Sequence, residues 1–249
     1  MSGHSKWATI KHKKAALDAK RGQAFTKIIR ELTVAAKMGG SDEDANPRLR
    51  VAVQAAKDAN MPKDTMERAV KKGAGELEGV SYEDVTYEGY GPEGVAIYVE
   101  ASSDNKNRTA AEIRHIFTKY AGNMGEVGCV GWMFKKKGQI MVPAKGLTED
   151  ALMEIALEAG AEDMEKQDEI YVISTEWTEM MSVRQALEAK GIKIESAAVE
   201  MVPDTSVKVG EEKAGTLMKL INALEDLDDV NTVSSNYDID EAVMDKIMN

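Results

Sequence analysis

Eight cations crowd the first thirty residues: Lys6, Lys11, Lys13, Lys14, Lys20, Arg21, Lys27 and Arg30, against a single acid, Asp18. Their local charge is +7 in a chain of 249 residues whose formal net charge is −11. The chemistry open to such a run is neutralisation of a polyanion, since each phosphate covered releases condensed counterions. The other reading is a solvated terminus whose charge only aids solubility. Trp7 adds one aromatic plane on which a base can stack. Residues 1–75 together hold sixteen Lys/Arg and eight Asp/Glu, which leaves −19 on the remainder. An acidic body repels phosphates, so contact with a nucleic acid should be confined to selected surfaces.

No comparable cluster points to catalysis. The histidines are His4, His12 and His115; the first two stand eight apart, not at the i, i+4 spacing of a helical metal pair. Cys129 is the single cysteine, which rules out an internal disulfide framework and suits a reducing cytosol. Cys129 with His115 would make a nucleophile and base, but a lone cysteine in an apolar strand is ordinarily a small buried hydrophobe. Gly122, Gly125, Gly128 and Gly131 lack the strand-to-helix setting and Lys-Ser/Thr ending of a P-loop. Acid pairs such as Asp42/Asp44, Glu162/Asp163 and Asp228/Asp229 are what an acidic surface supplies by default. The expectation is a protein that is not an enzyme and holds no metal and no cofactor.

A second candidate anion site is the loop from Ser102 to Thr109. It lies between a predicted strand and a helix start, where backbone N–H groups favour an anion, and it carries Lys106, Arg108 and, further on, Arg114. The competing reading is a capping turn, Asn and Thr being natural helix caps.

The elements that must position these residues follow from periodicity. Gly22 to Met38 reads as an amphipathic helix with Phe25, Ile28, Ile29, Leu32 and Ala36 on one side and Lys20, Lys27, Arg30 and Lys37 opposite. Asn46-Pro47 starts a second helix and Pro62 opens a third, Lys63 to Lys72. Arg48, Arg50, Lys71 and Lys72 add positive charge to this small helical head. Strands are predicted near Val85–Tyr87, Val95–Val99 and Gly128–Phe134, with a helix over Arg108–Tyr120. A β-α-β-β-α-β order follows between Gln139 and Met201, then a helix over Thr216–Leu227 and a strand at Asn231–Ser234.

The fold class expected is α+β in three domains. Residues 1–79 form a basic three-helix domain with an arm; 80–134 plus 204–249 form a discontinuous middle α/β sandwich; 135–203 form an inserted ferredoxin-like domain. No apolar run approaches the roughly 20 residues of a membrane span, and no apolar h-region follows the basic start. A cytoplasmic monomer with no membrane partner is expected.

The opening SGHSKWATIKHKKAALDAKRGQAFTKIIREL resembles the N-terminal signature of the YebC/PmpR family. The segments NPRLRVAVQAAKDANMPKDTMERAVKKGAG, YEGYGPEGVAIYVE, DNKNRTAAEIRHIFTKYAGNMGEVGCVGWMF and LINALEDLDDV resemble it too, so the likeness covers essentially the whole chain. The resemblance implies a three-domain α+β protein with a helical first domain and no enzymatic activity. It implies a nucleic-acid-binding regulator of gene expression, either a DNA-binding transcriptional regulator or a translational activator acting on RNA at the ribosome. A Lys-rich arm with one Trp suits backbone neutralisation of ribosomal or transfer RNA. No predicted helix offers the several base-reading side chains of a helix-turn-helix.

Overall fold

The computed structural model describes residues 21–79, 81–167 and 169–248. They fall into two compact units, residues 21–135 with 203–248 and residues 136–202. The first begins with three helices, α1 (Arg21–Gly39), α2 (Pro47–Asp58) and α3 (Lys63–Gly73). Leu32, Ala35 and Ala36 of α1 share a buried cluster with Leu49, Ala52, Val53 and Ala56 of α2 and Ala69 of α3. Phe25, Ile28, Ile29, Met66 and Val70 pack on its edge. Alanines where the helices meet let the axes approach closely, and Gly73 marks the tightest point, where a Cβ would run into the Thr33 carbonyl. Asn46 caps α2 by accepting from the Leu49 amide at 3.1 Å, while its own amide group donates to the carbonyls of Ala35 and Gly40.

The chain continues through β1 (Glu83–Tyr90), β2 (Ala96–Ser103), α4 (Lys106–Lys119) and β3 (Asn123–Met124). β4 (Phe134–Pro143) leads into the second unit, with α5 (Glu149–Glu158), β5 (Asp163–Gln167), β6 (Ile170–Glu176), α6 (Met180–Ala189) and β7 (Ser196–Pro203). The return supplies β8 (Val207–Lys208), α7 (Glu211–Glu225), β9 (Val230–Ser235), β10 (Tyr237–Asp238) and α8 (Glu241–Met248). The first unit's sheet runs β3-β1-β2-β9 with antiparallel neighbours, and β8 and β10 form a separate parallel pair. Phe117 of α4 closes on Gly89, and Leu217 and Leu220 of α7 on Gly91, so these helices cover one sheet face. The second unit's sheet runs β5-β6-β4-β7. The class is α+β. Among the described residues no helix is long and apolar enough to cross a membrane.

One predicted strand is absent. Gly128 to Met133 is loop and a short 3-10 turn, and the strand starts only at Phe134. Buried Glu88 on β1 explains it: one carboxylate oxygen accepts from the Gly128 amide at 2.8 Å, the other from Val130 at 2.7 Å and Gly131 at 2.6 Å. Those N–H groups are spent on a side chain and make no sheet ladder. Cys129 is therefore half-buried in a loop and not in a strand core. Burial, with the charge of Glu88 behind it, raises its thiol above the ordinary value, away from a reactive thiolate.

Candidate nucleic-acid interface

Lys6, Trp7, Lys11, Lys13, Lys14 and Lys20, six of the residues expected to meet a nucleic acid, lie outside the described residues. Arg21 opens α1. From there onward the structure sorts the expected cations into two groups, by whether the protein itself already supplies their acceptor.

The first group faces inward. Lys27 donates to the Glu225 carbonyl, and Arg30 donates to the Asp228 carbonyl and pairs with Asp229 at 2.8 Å. Arg30 also stands over the Tyr82 ring at 5.2 Å. The polar side of α1, expected to face solvent, is thus a second packing surface. Arg48 bridges Glu31 on α1 and Asp84 on β1. Burial works against its charge, but the two carboxylates outweigh it and hold the guanidinium more firmly protonated than usual. Arg50 donates to the carbonyls of Glu43 and Asp44, closing the loop before α2. These cations join elements of the protein to one another.

The loop before α4 follows the same rule. Asn105 caps the helix by accepting from the Arg108 amide at 3.2 Å. The anion at this helix start comes from the chain itself: Asp229 Oδ2 accepts from Thr109 Oγ1 at 2.6 Å, Arg108 at 2.7 Å and Ser103 Oγ at 3.2 Å. Asp229 is 4% exposed, so it is no part of an acidic surface. Burial alone would raise its pKa; the Thr109 hydrogen bond, Arg108 and Arg30 reverse that and hold it below the ordinary aspartate value. Arg108 also pairs with Asp104, and Lys106 with Glu83 at 2.6 Å.

The second group faces out. Lys71 and Lys72 in the last turn of α3 are exposed, as is Arg114 on α4, and none forms an ion pair among the described residues. Arg68 belongs with them, although the sequence expectation does not include it. It lies three and four residues before Lys71 and Lys72, so the three share one helical face, a spacing visible in the sequence. Cations in a last turn also offset the negative end of the helix, the structural reason for such a cluster.

Residues 5–76 match the family model described as the TACO1/YebC protein N-terminal domain, and residues 82–237 match that of the TACO1/YebC second and third domain. The chain belongs to the TACO1/YebC family. A relative from Persephonella marina is 56% identical over 99% of this chain and 100% of its own length, and one from Syntrophobacter fumaroxidans is 56% identical with the same coverage. Each is named "Probable transcriptional regulatory protein". The crystal structure of a conserved hypothetical protein from Aquifex aeolicus aligns with a TM-score of 0.85 at 51% identity, covering 95% of this chain and 98% of that one.

Within this TACO1/YebC chain the described residues contain no group of three or more His, Cys, Asp or Glu able to hold a metal ion. Glu88 and Asp229, the two carboxylates with the densest hydrogen bonding described above, serve loop and domain architecture. Asp229 reads as surface charge beside Asp228, and Glu88 falls within a strand; only tertiary structure shows what each accepts.

Proposed function

We propose that this protein is a non-catalytic, nucleic-acid-binding regulator of gene expression that grips the phosphate backbone with its N-terminal arm and the outer face of α3. The observation that carries this reading is the sorting of cations. Arg30, Arg48 and Arg108 have carboxylate partners inside the protein. Arg68, Lys71 and Lys72 stand exposed without one among the described residues, in the domain entered from the first twenty residues, whose five lysines against Asp18 carry +4. The relatives' name supports a role in transcription.

An RNA target at the ribosome is the second reading. α2 and α3 are joined by a short turn, but α3 carries Asp64 in its first turn and Glu67 just beyond it, acids that oppose entry of its N-terminal end into a groove. Backbone neutralisation by lysines needs no groove-reading helix and serves structured RNA equally. The strand order and antiparallel pairing of residues 136–202 support the ferredoxin-like description of the insert. The family descriptions name an N-terminal, a second and a third domain, and the proposed boundaries are 1–79, 80–134 with 204–249, and 135–203. A cytoplasmic monomer completes the proposal.

Crosslinking in cells followed by sequencing of bound DNA and RNA separates the targets. Discrete promoter peaks support transcription; ribosomal or transfer RNA supports translation; enrichment of neither overturns the proposal.

A further inference from the structure

The sheet β3-β1-β2-β9 meets helices on one face and carries aromatic side chains on the other. Gly89 and Gly91 lie against α4 and α7, so strand alternation turns Glu88 and Tyr90 of β1 to the opposite face. Tyr98 of β2 stands directly across from Glu88 and shares that face. Its ring packs on Phe134 with centroids 5.9 Å apart, and a Cβ on Gly131 would meet it at 3.3 Å. The loop leading to Phe134 is thus laid against this side of the sheet. Two of its residues, Val127 and Trp132, are the most exposed large apolar side chains among the described residues, at 77% and 73%.

Trp132 is exposed but held in place. Glu88, 3% exposed, spends both carboxylate oxygens on the Gly128, Val130 and Gly131 amides. The Cys129 carbonyl accepts from Tyr90 Oη at 3.0 Å and from Trp132 Nε1 at 3.2 Å. With its one donor satisfied inside the loop, the indole has only its flat faces left to offer. The charge around it is not cationic: Glu126 is exposed, and Lys135 pairs with Asp204 at 2.9 Å. A phosphate finds no favourable field here, so a nucleic acid would meet this loop through a base. Aromatic side chains on the open face of a four-stranded sheet are a platform on which single-stranded RNA stacks its bases. Paired bases in a duplex do not present that plane.

We propose that Trp132 stacks on an unpaired base of a single-stranded RNA, a contact separate from the phosphate grip of α3. The inference rests on the function proposed above and names the kind of strand that is bound.

Full-length protein carrying Trp7→Phe and Trp177→Phe leaves Trp132 as the single indole. A uridine dodecamer quenches its emission, whereas an abasic dodecamer with the same phosphates binds without quenching. Trp132→Ala, at an exposed position, weakens uridine binding about tenfold at every salt concentration and leaves the salt slope unchanged, because stacking releases no counterions. Trp132→Phe, which keeps a plane and lacks the N–H, retains most of the affinity. Uridine binding as tight in Trp132→Ala as in wild type overturns the proposal, as does equal quenching by the abasic chain. A tenfold loss on a matched DNA duplex also overturns it, by removing the preference for an unpaired base. Emission that changes with protein concentration alone assigns the loop to a second copy and overturns it too. Abasic binding that persists while Trp132→Ala has no effect leaves the phosphate grip standing; binding of neither oligomer defeats both readings.

Discussion

Arg30, whose side chain is 12% exposed, stands 2.8 Å from the carboxylate of Asp229, pinning the first described helix to the start of β9. Asp229 also receives Arg108, Thr109 and Ser103. A single buried carboxylate thereby connects α1, the end of β2, the start of α4 and the segment entering β9.

Replacing Asp229 with Ala leaves Arg30 buried without its charge partner. The expected cost is about 3 kcal/mol, read as a lower urea midpoint, because removing one partner of a buried pair exposes the full desolvation penalty of the other. A midpoint unchanged from wild type contradicts the hub.

The same carboxylate sets an acid dependence. Its folded pKa lies below the ordinary value, so its stabilisation is complete above the unfolded-state pKa of about 4 and is lost as pH falls through the lower folded value. Urea midpoints measured from pH 5 downward should fall more steeply for wild type than for Asp229→Asn. Parallel curves would assign the acid sensitivity to other groups.

Glu88→Gln replaces an all-acceptor carboxylate with an amide whose NH2 confronts the N–H groups of the Gly128–Gly131 loop. A loss of about 2–3 kcal/mol is expected, with faster hydrogen exchange at Gly128, Val130 and Gly131. Exchange rates that stay at wild-type values would show the loop to be held by other interactions.

Inward and outward cations should respond differently to truncation. Arg48→Ala, which breaks the link among Glu31, Asp84 and α2, lowers stability. The triple change Arg68→Ala, Lys71→Ala and Lys72→Ala leaves the melting temperature near wild type. It reduces the salt slope of nucleic-acid binding by about one for each phosphate that the three side chains neutralise. A triple variant with the wild-type slope removes α3 from the interface.

Much of this architecture is legible in the residues. Asn46-Pro47 announces a cap and first turn, and the Leu32, Leu49, Val53 and Met66 spacing identifies the helical core. The order of strands and helices from β4 to β7 follows from period and glycine placement. What periodicity cannot supply is the long-range fate of charge. Arg30 on a helix stripe reads as solvent-facing until Asp229 is brought beneath it, and the Gly128–Met133 strand fails because Glu88, distant in sequence, takes its amides. The α8 helix and the β8–β10 pair likewise stand outside the sequence expectation. They are short elements whose pairing is decided by the surrounding fold.

The central claim is that the arm's cations hold a nucleic acid by its phosphates, and the salt dependence of binding tests it most directly. With about six phosphates engaged, log K for the full-length protein should fall against log salt with a slope of about −5. Replacing Lys6, Lys11, Lys13, Lys14 and Lys20 with Gln should abolish most of that slope and the affinity with it. A neutralised variant that binds as tightly as wild type, with the same slope, would contradict the account.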